Sequence, residues 1–68
     1  KERAKERNII IVELVNRGPS TIDELSKPTG FEKAKLLKHL TALRHDGKVA
    51  IVGDRDDQAV YGFVEKSA

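Results

Sequence analysis

The residues best suited to chemistry in this chain are basic, and they are concentrated in residues 31–45. This stretch has two histidines and only one acidic residue, Glu32. Its lysines and arginine are Lys33, Lys35, Lys38 and Arg44. Ammonium groups aligned on one face of a helix neutralise phosphates and release counterions, so these residues are suited to binding a polyanion. We expect them to form one contiguous cationic ridge that neighbouring carboxylates leave uncovered.

Neither catalysis nor metal binding is indicated. The chain contains no cysteine, which excludes disulfides and thiolate metal sites. His39 and His45 have no serine, cysteine or carboxylate partners at a spacing typical of an active site. Two histidines alone do not make a structural zinc site. We therefore predict no enzyme activity, metal or cofactor, and we assign both histidines structural or solvent-exposed roles.

The length of 68 residues allows one domain. No apolar run approaches the roughly 20 residues that a membrane span needs, so we predict no membrane partner. We expect a cytoplasmic location, at the nucleoid, or a nuclear one in a eukaryote. We divide the chain into a charged helix start or linker at 1–8, a domain at 9–64 and a tail at 65–68. The first residue is Lys1 rather than methionine, which is compatible with a piece of a longer protein.

The apolar spacing predicts three helices. The first runs through the charged lead-in and ends at Gly18-Pro19, a pair that breaks helices. The second begins at a Ser20 or Thr21 cap and ends at Pro28. The third spans about 31–45 and is closed by Gly47 in the left-handed position.

A polar turn, "GDRDDQ", separates two stretches with strand propensity, "KVAIV" and "AVYGFV". They predict an antiparallel hairpin. In the third helix the leucines at i, i+4 and i+7 point inward, and Leu37 widens that buried stripe. The predicted core comprises Ile11, Leu14, Val15, Ile22, Leu25, Leu36, Leu40, Leu43, Val49, Ile51, Val60 and Phe63.

The segment "GPSTIDELSKPTGFEKAKLLKHLTALRHDGKV", followed by a hairpin ending in "VYGFV", resembles a winged helix-turn-helix domain. Regulators of the ArsR, MarR and Lrp-like kind share this layout, and the resemblance covers about residues 9–64. It implies an α+β fold, in which a three-helix bundle is followed by a C-terminal two-stranded antiparallel hairpin, the wing.

The resemblance also implies a site. In DNA-binding members the third helix enters the major groove, and the wing reaches the flanking backbone or the minor groove. By position, the predicted DNA-binding residues are Lys33, Ala34, Lys35, Lys38, Thr41, Thr21, Lys27 and Arg55. Two features depart from the family pattern. The reading face lacks arginine, asparagine and glutamine, and the wing tip at 53–58 is acidic overall.

Two functions follow as hypotheses. The first is the DNA-binding domain of a transcriptional regulator or nucleoid-associated protein, with double-stranded DNA as partner. It includes a possible homodimer through segments N-terminal to this chain. The alternative is a module of a larger assembly that binds a protein or RNA. The acidic wing tip and the few base-reading side chains favour that alternative.

Overall fold

A computed structural model describes residues 2–64, with side chains from Ala4 onward. Within that range the elements follow in the order α1 (Glu2–Arg17), α2 (Ile22–Thr29), α3 (Lys33–His45), β1 (Val49–Arg55) and β2 (Gln58–Phe63). The two strands pair antiparallel and form the wing. Three helices followed by a hairpin is the winged-helix layout, which confirms the predicted fold. The predicted tail at 65–68 lies outside the described residues.

The core lies where the three helices meet the wing. Its buried apolar side chains are Ile10, Leu14, Leu25, Leu36, Leu40, Leu43, Val49, Val60 and Tyr61. On α1 the prediction of Val15 as a core residue is wrong, because Val15 is 56% exposed. Ile10 and Leu14, four residues apart, form the buried stripe instead. Ile11 and Ile22 are only partly buried against the core.

In the wing, Tyr61 is buried, whereas the predicted core residues Ile51 and Phe63 are 44% and 41% exposed. Tyr61 also takes part in a pairing that the sequence did not indicate. Tyr61 exchanges two backbone hydrogen bonds with Ser20, at 2.9 and 2.8 Å, in the segment between α1 and α2. This bridge holds the middle of β2 against the helices, while Phe63 lies at the open end of the hairpin.

A reciprocal cap starts α2. The Thr21 hydroxyl accepts a hydrogen bond from the Glu24 amide, and the Glu24 carboxylate accepts one from the Thr21 amide, as the sequence predicts. The prediction that Pro28 ends this helix is wrong, because α2 continues to Thr29. In the last turn a proline removes only one intrahelical bond. The Thr29 hydroxyl donates to the Leu25 carbonyl oxygen at 2.7 Å and helps complete that turn.

The exit from α3 follows the predicted pattern. Gly47 has a φ of 77°, and the Lys48 amide donates to the Leu43 carbonyl oxygen at 2.9 Å. These two features define a Schellman motif, in which a left-handed glycine allows the chain to reverse. The chain therefore enters β1 directly after the helix.

The wing turn is tighter than predicted. Asp56 and Asp57, with φ values of 53° and 64°, form a two-residue turn, and Arg55 pairs with Gln58 across it. Positive φ at both central residues matches the right-handed twist of the flanking strands. Most of the predicted loop at 53–58 is therefore strand.

Helix α3 has both buried and exposed leucines, so its orientation can be tested by measuring stability. Leu40 is 0% exposed and Leu37 is 49% exposed. We expect Leu40→Ala to lower the free energy of unfolding by about 2–5 kcal/mol, because it leaves a cavity. Leu37→Ala, the matched control on the same helix, should cost less than about 1 kcal/mol. Urea denaturation measures both values, and equal losses would contradict the described orientation of α3.

Candidate nucleic-acid interface

The rotation of α3 decides which of its side chains meet solvent. Leu36, Leu40 and Leu43 are buried, so the opposite side of the helix points outward. On that side Ala34, Lys35, Leu37, Lys38 and Thr41 are exposed and line one shallow, open depression. We call these five residues the outer face of α3. Four of them are among the predicted DNA-binding residues.

A hydrogen-bonded network joins the start of α1 to α3. His39 is buried, and its Nε2 lies 2.8 Å from Glu6 Oε1. Arg7 Nε donates to His39 Nδ1 at 3.3 Å, so Nδ1 is the accepting ring nitrogen and Nε2 is the one that donates to Glu6. His39 therefore has a structural role, in keeping with the prediction. The charged segment predicted as a helix start or linker packs on α3 through Glu6 and Arg7.

The same carboxylate fixes one predicted DNA-binding lysine. Lys35 Nζ donates to Glu6 Oε2 at 3.0 Å, and it lies 5.3 Å from the centre of the Phe31 ring. The hydrogen bonds from His39 and then Lys35 hold the pKa of Glu6 below its ordinary value. Lys35 is thus held at one edge of the outer face rather than freely solvated.

On the other side, α2 supplies a carboxylate to α3. Lys33 forms an ion pair with Asp23, and Gln58 Nε2 of the wing donates to the same carboxylate at 3.4 Å. The Lys33 hydrogen bond first, and the Gln58 bond second, lower the pKa of Asp23. Asp23 therefore connects α2, the start of α3 and the wing.

Glu24 of α2 forms an ion pair with Arg55 of the wing. Arg55 Nη1 donates to both carboxylate oxygens of Glu24, at 2.6 and 2.8 Å. The Thr21 amide and then Arg55 lower the pKa of Glu24. One glutamate thus caps α2 and anchors the wing.

The prediction of a contiguous cationic ridge that neighbouring carboxylates leave uncovered is therefore wrong in part. Lys33, Lys35 and Arg55 each pair with a carboxylate from another element. Among the ion pairs of residues 4–64, none involves Lys38 or Lys27. The three paired cations still keep about half or more of their side-chain surface in solvent, at 67%, 46% and 48%.

Two predicted residues lie away from the outer face. Thr21 is buried, and its hydroxyl is engaged in capping α2. Lys27 is exposed, but it lines a separate depression beside Arg17 and Pro28. The structure thus brings together Ala34, Lys35, Lys38 and Thr41, with Lys33 and Arg55 linked to them through α2.

The predicted DNA-binding set left out two residues, one on the outer face and one beside it. Leu37 was predicted to widen the inward stripe on one flank, yet it is 49% exposed and lies between Ala34 and Thr41 on the outer face. Arg44 is exposed beside Thr41 and His45 at the end of the helix. Helical spacing could have indicated both, because residues 34, 37, 41 and 44 succeed one another at intervals of three or four.

Other site types find no support in the described part of the chain. Across residues 4–64, no group of three or more His, Asp or Glu side chains is arranged to hold a metal ion. No helix described within 2–64 has the length and apolar character required to cross a membrane.

No protein-family model matches this chain, and no curated protein matches it. Solved structures do. The apo-Zα domain of zebrafish PKZ superposes with a TM-score of 0.88 at 23% identity, over 96% of this chain and 100% of that one. The chain has the fold of a Zα domain.

Two further Zα structures contain DNA. The Zα domain of Carassius auratus PKZ in complex with Z-DNA gives a TM-score of 0.86 at 20% identity, over 94% of this chain and 100% of that one. A PKZ Zα domain in complex with ds(CG)6 gives a TM-score of 0.79 at 25% identity, over 96% of this chain and 100% of that one. The shared fold extends over almost the whole length of this chain.

The lowered carboxylate pKa values predict acid sensitivity. A carboxyl group whose pKa is depressed by folding contributes stability above its unfolded pKa, and that contribution is lost as pH falls through the folded pKa. We expect the free energy of unfolding to fall as the pH drops below 4.5, which is the ordinary pKa of a glutamate such as Glu6. Glu6→Gln should be less stable at neutral pH and should lose less on acidification. Urea titrations across this range measure both effects, and an unchanged acid slope in Glu6→Gln would contradict the assigned network.

Proposed function

We propose that this domain binds duplex DNA, with the outer face of α3 against the base edges and the wing against the flanking backbone. The observation that carries the proposal is the superposition, over almost the whole chain, with Zα domains of which two were solved with DNA. The exposed lysines on α3 support it, because the docking element of a winged helix is this helix.

The ion pairs on this surface are compatible with DNA binding. The pairs of Lys33 and Arg55 are exposed on both sides, and exposed ion pairs contribute only about 0–1 kcal/mol. A phosphate can therefore replace Asp23 or Glu24 at small cost. The partner of Lys35 is Glu6, which keeps only 16% of its side-chain surface in solvent, so this pair is the hardest of the three to exchange. Lys38 needs no such exchange, since no ion pair among residues 4–64 occupies it. Lys38 is thus the cation best placed for a first contact.

The DNA in the neighbouring structures supports a proposal for the form of the duplex. Because one is in complex with Z-DNA and another with ds(CG)6, we propose that this domain binds a CG-repeat duplex in the Z form. A role in a transcriptional regulator or nucleoid-associated protein stays a prediction, as does a homodimer through segments N-terminal to this chain. Neither is carried by the residues of this surface.

Binding to a (CG)6 duplex tests the proposal. We expect fluorescence anisotropy to report binding whose affinity falls steeply as salt is raised, because each phosphate contact releases condensed counterions. The circular dichroism spectrum of the DNA should change to that of the Z form as protein is added. Binding without that change would refute the proposed Z form alone. Absence of binding at low salt, or affinity independent of salt, would refute DNA binding.

Reversing one charge tests the assigned surface. Lys38→Glu should weaken DNA binding about tenfold or more and reduce the salt dependence, because it removes a phosphate contact and adds repulsion. Lys48→Glu is the matched control. It makes the same change in net charge at an exposed lysine after α3, away from the outer face. Equal weakening by both variants would show a non-specific charge effect and contradict the assigned face.

A further inference from the structure

An apolar side chain lies among the lysines of the outer face. Leu37 is 49% exposed, whereas the other three leucines of α3 are buried. Ala34 precedes it by three residues and Thr41 follows it by four, so their methyl groups lie beside it on the same surface of the helix. All three line the same depression, together with Lys35 and Lys38.

We propose that Leu37 contacts the C5-methyl group of a pyrimidine, so that the domain prefers duplexes carrying 5-methylcytosine over those carrying cytosine. This inference rests on the proposed function. In B-form DNA the C5 position lies on the major-groove edge of the base pair, where apolar side chains distinguish thymine by its methyl group. A 5-methylcytosine presents the same group at the same position. The inference requires that the same edge faces Leu37 in the bound duplex.

Few polar groups near Leu37 could distinguish one pyrimidine from another, so its contact with the C5-methyl group is the main source of that discrimination. Within α3 there is no asparagine or glutamine, and Arg44 lies in the last turn. Near Leu37 the side chains able to hydrogen bond are lysines and the Thr41 hydroxyl. Lysine acts on phosphate as a point charge, and phosphate contacts fix position rather than sequence. A lysine that reaches a base edge recognises guanine and not the C5 position of a pyrimidine. The apolar contact of Leu37 then distinguishes one pyrimidine from another.

Charge complementarity favours DNA over a protein as the occupant of this surface. Lys35 and Lys38 line the same depression as Leu37, and lysine is depleted from the cores of protein–protein interfaces. A nucleic acid instead presents phosphates on both sides of each base edge. An apolar centre flanked by cations therefore matches a base edge flanked by phosphates.

A four-way comparison tests the inference. The dissociation constants of the unaltered domain and of Leu37→Ala are measured on (CG)6 duplexes with cytosine or with 5-methylcytosine, at one salt concentration. We expect the unaltered domain to bind the methylated duplex about fourfold more tightly for each methyl group buried. In Leu37→Ala the ratio should approach one. Leu37→Met, which keeps an apolar side chain of similar length, should retain most of the preference.

Each other outcome has a distinct meaning. Equal affinity of the unaltered domain for the two duplexes overturns the inference and leaves the proposed function standing. A preference that is undiminished in Leu37→Ala comes from the methylated DNA itself and overturns the role of Leu37. Failure of the unaltered domain to bind either duplex overturns the proposed function. Far-ultraviolet circular dichroism of both variants confirms that they are folded before binding is compared.

Discussion

The burial of one row of leucines on α3 determines which side chains of that helix the domain presents to a partner. Leu36, Leu40 and Leu43 pack into a core that α1, α2 and the wing share. Because side chains on a helix have fixed angular positions, this packing also fixes Ala34, Leu37, Lys38 and Thr41 as the outward set. A rotation of the helix by one residue would bury Leu37 and expose a core leucine.

Carboxylates from the first two helices then organise the charges around that face. Glu6 of α1 holds Lys35 while accepting from the buried His39. Asp23 and Glu24 of α2 hold Lys33 and Arg55. These contacts reduce the net charge of the surface, yet they also position cations that would otherwise move freely. Since the pairs of Lys33 and Arg55 are exposed on both sides, phosphates can replace these two carboxylates without large cost. The surface is therefore pre-arranged rather than strongly cationic.

Local sequence signals predicted the fold well. The Thr21–Glu24 cap, the left-handed Gly47 and the leucine spacing each specify structure within a few residues. Contacts between distant residues could not be predicted in that way. The Ser20–Tyr61 bridge and the Lys35–Glu6 pair join elements whose relative placement only packing determines. The leucine spacing placed Leu36 in the buried stripe but did not show that the adjacent Leu37 faces solvent, so Leu37 was placed on the flank of that stripe and missed in the site.

The most direct test of the central claim, that α3 and the wing tip contact DNA, is residue-by-residue mapping in solution. Amide chemical shifts of the isotopically labelled domain would be followed by nuclear magnetic resonance during titration with the (CG)6 duplex. The largest changes should fall within 33–45 and at the wing tip, with small changes along 9–16 of α1. Changes concentrated at the exposed apolar residues of α1, or at Phe63, would show that another surface binds.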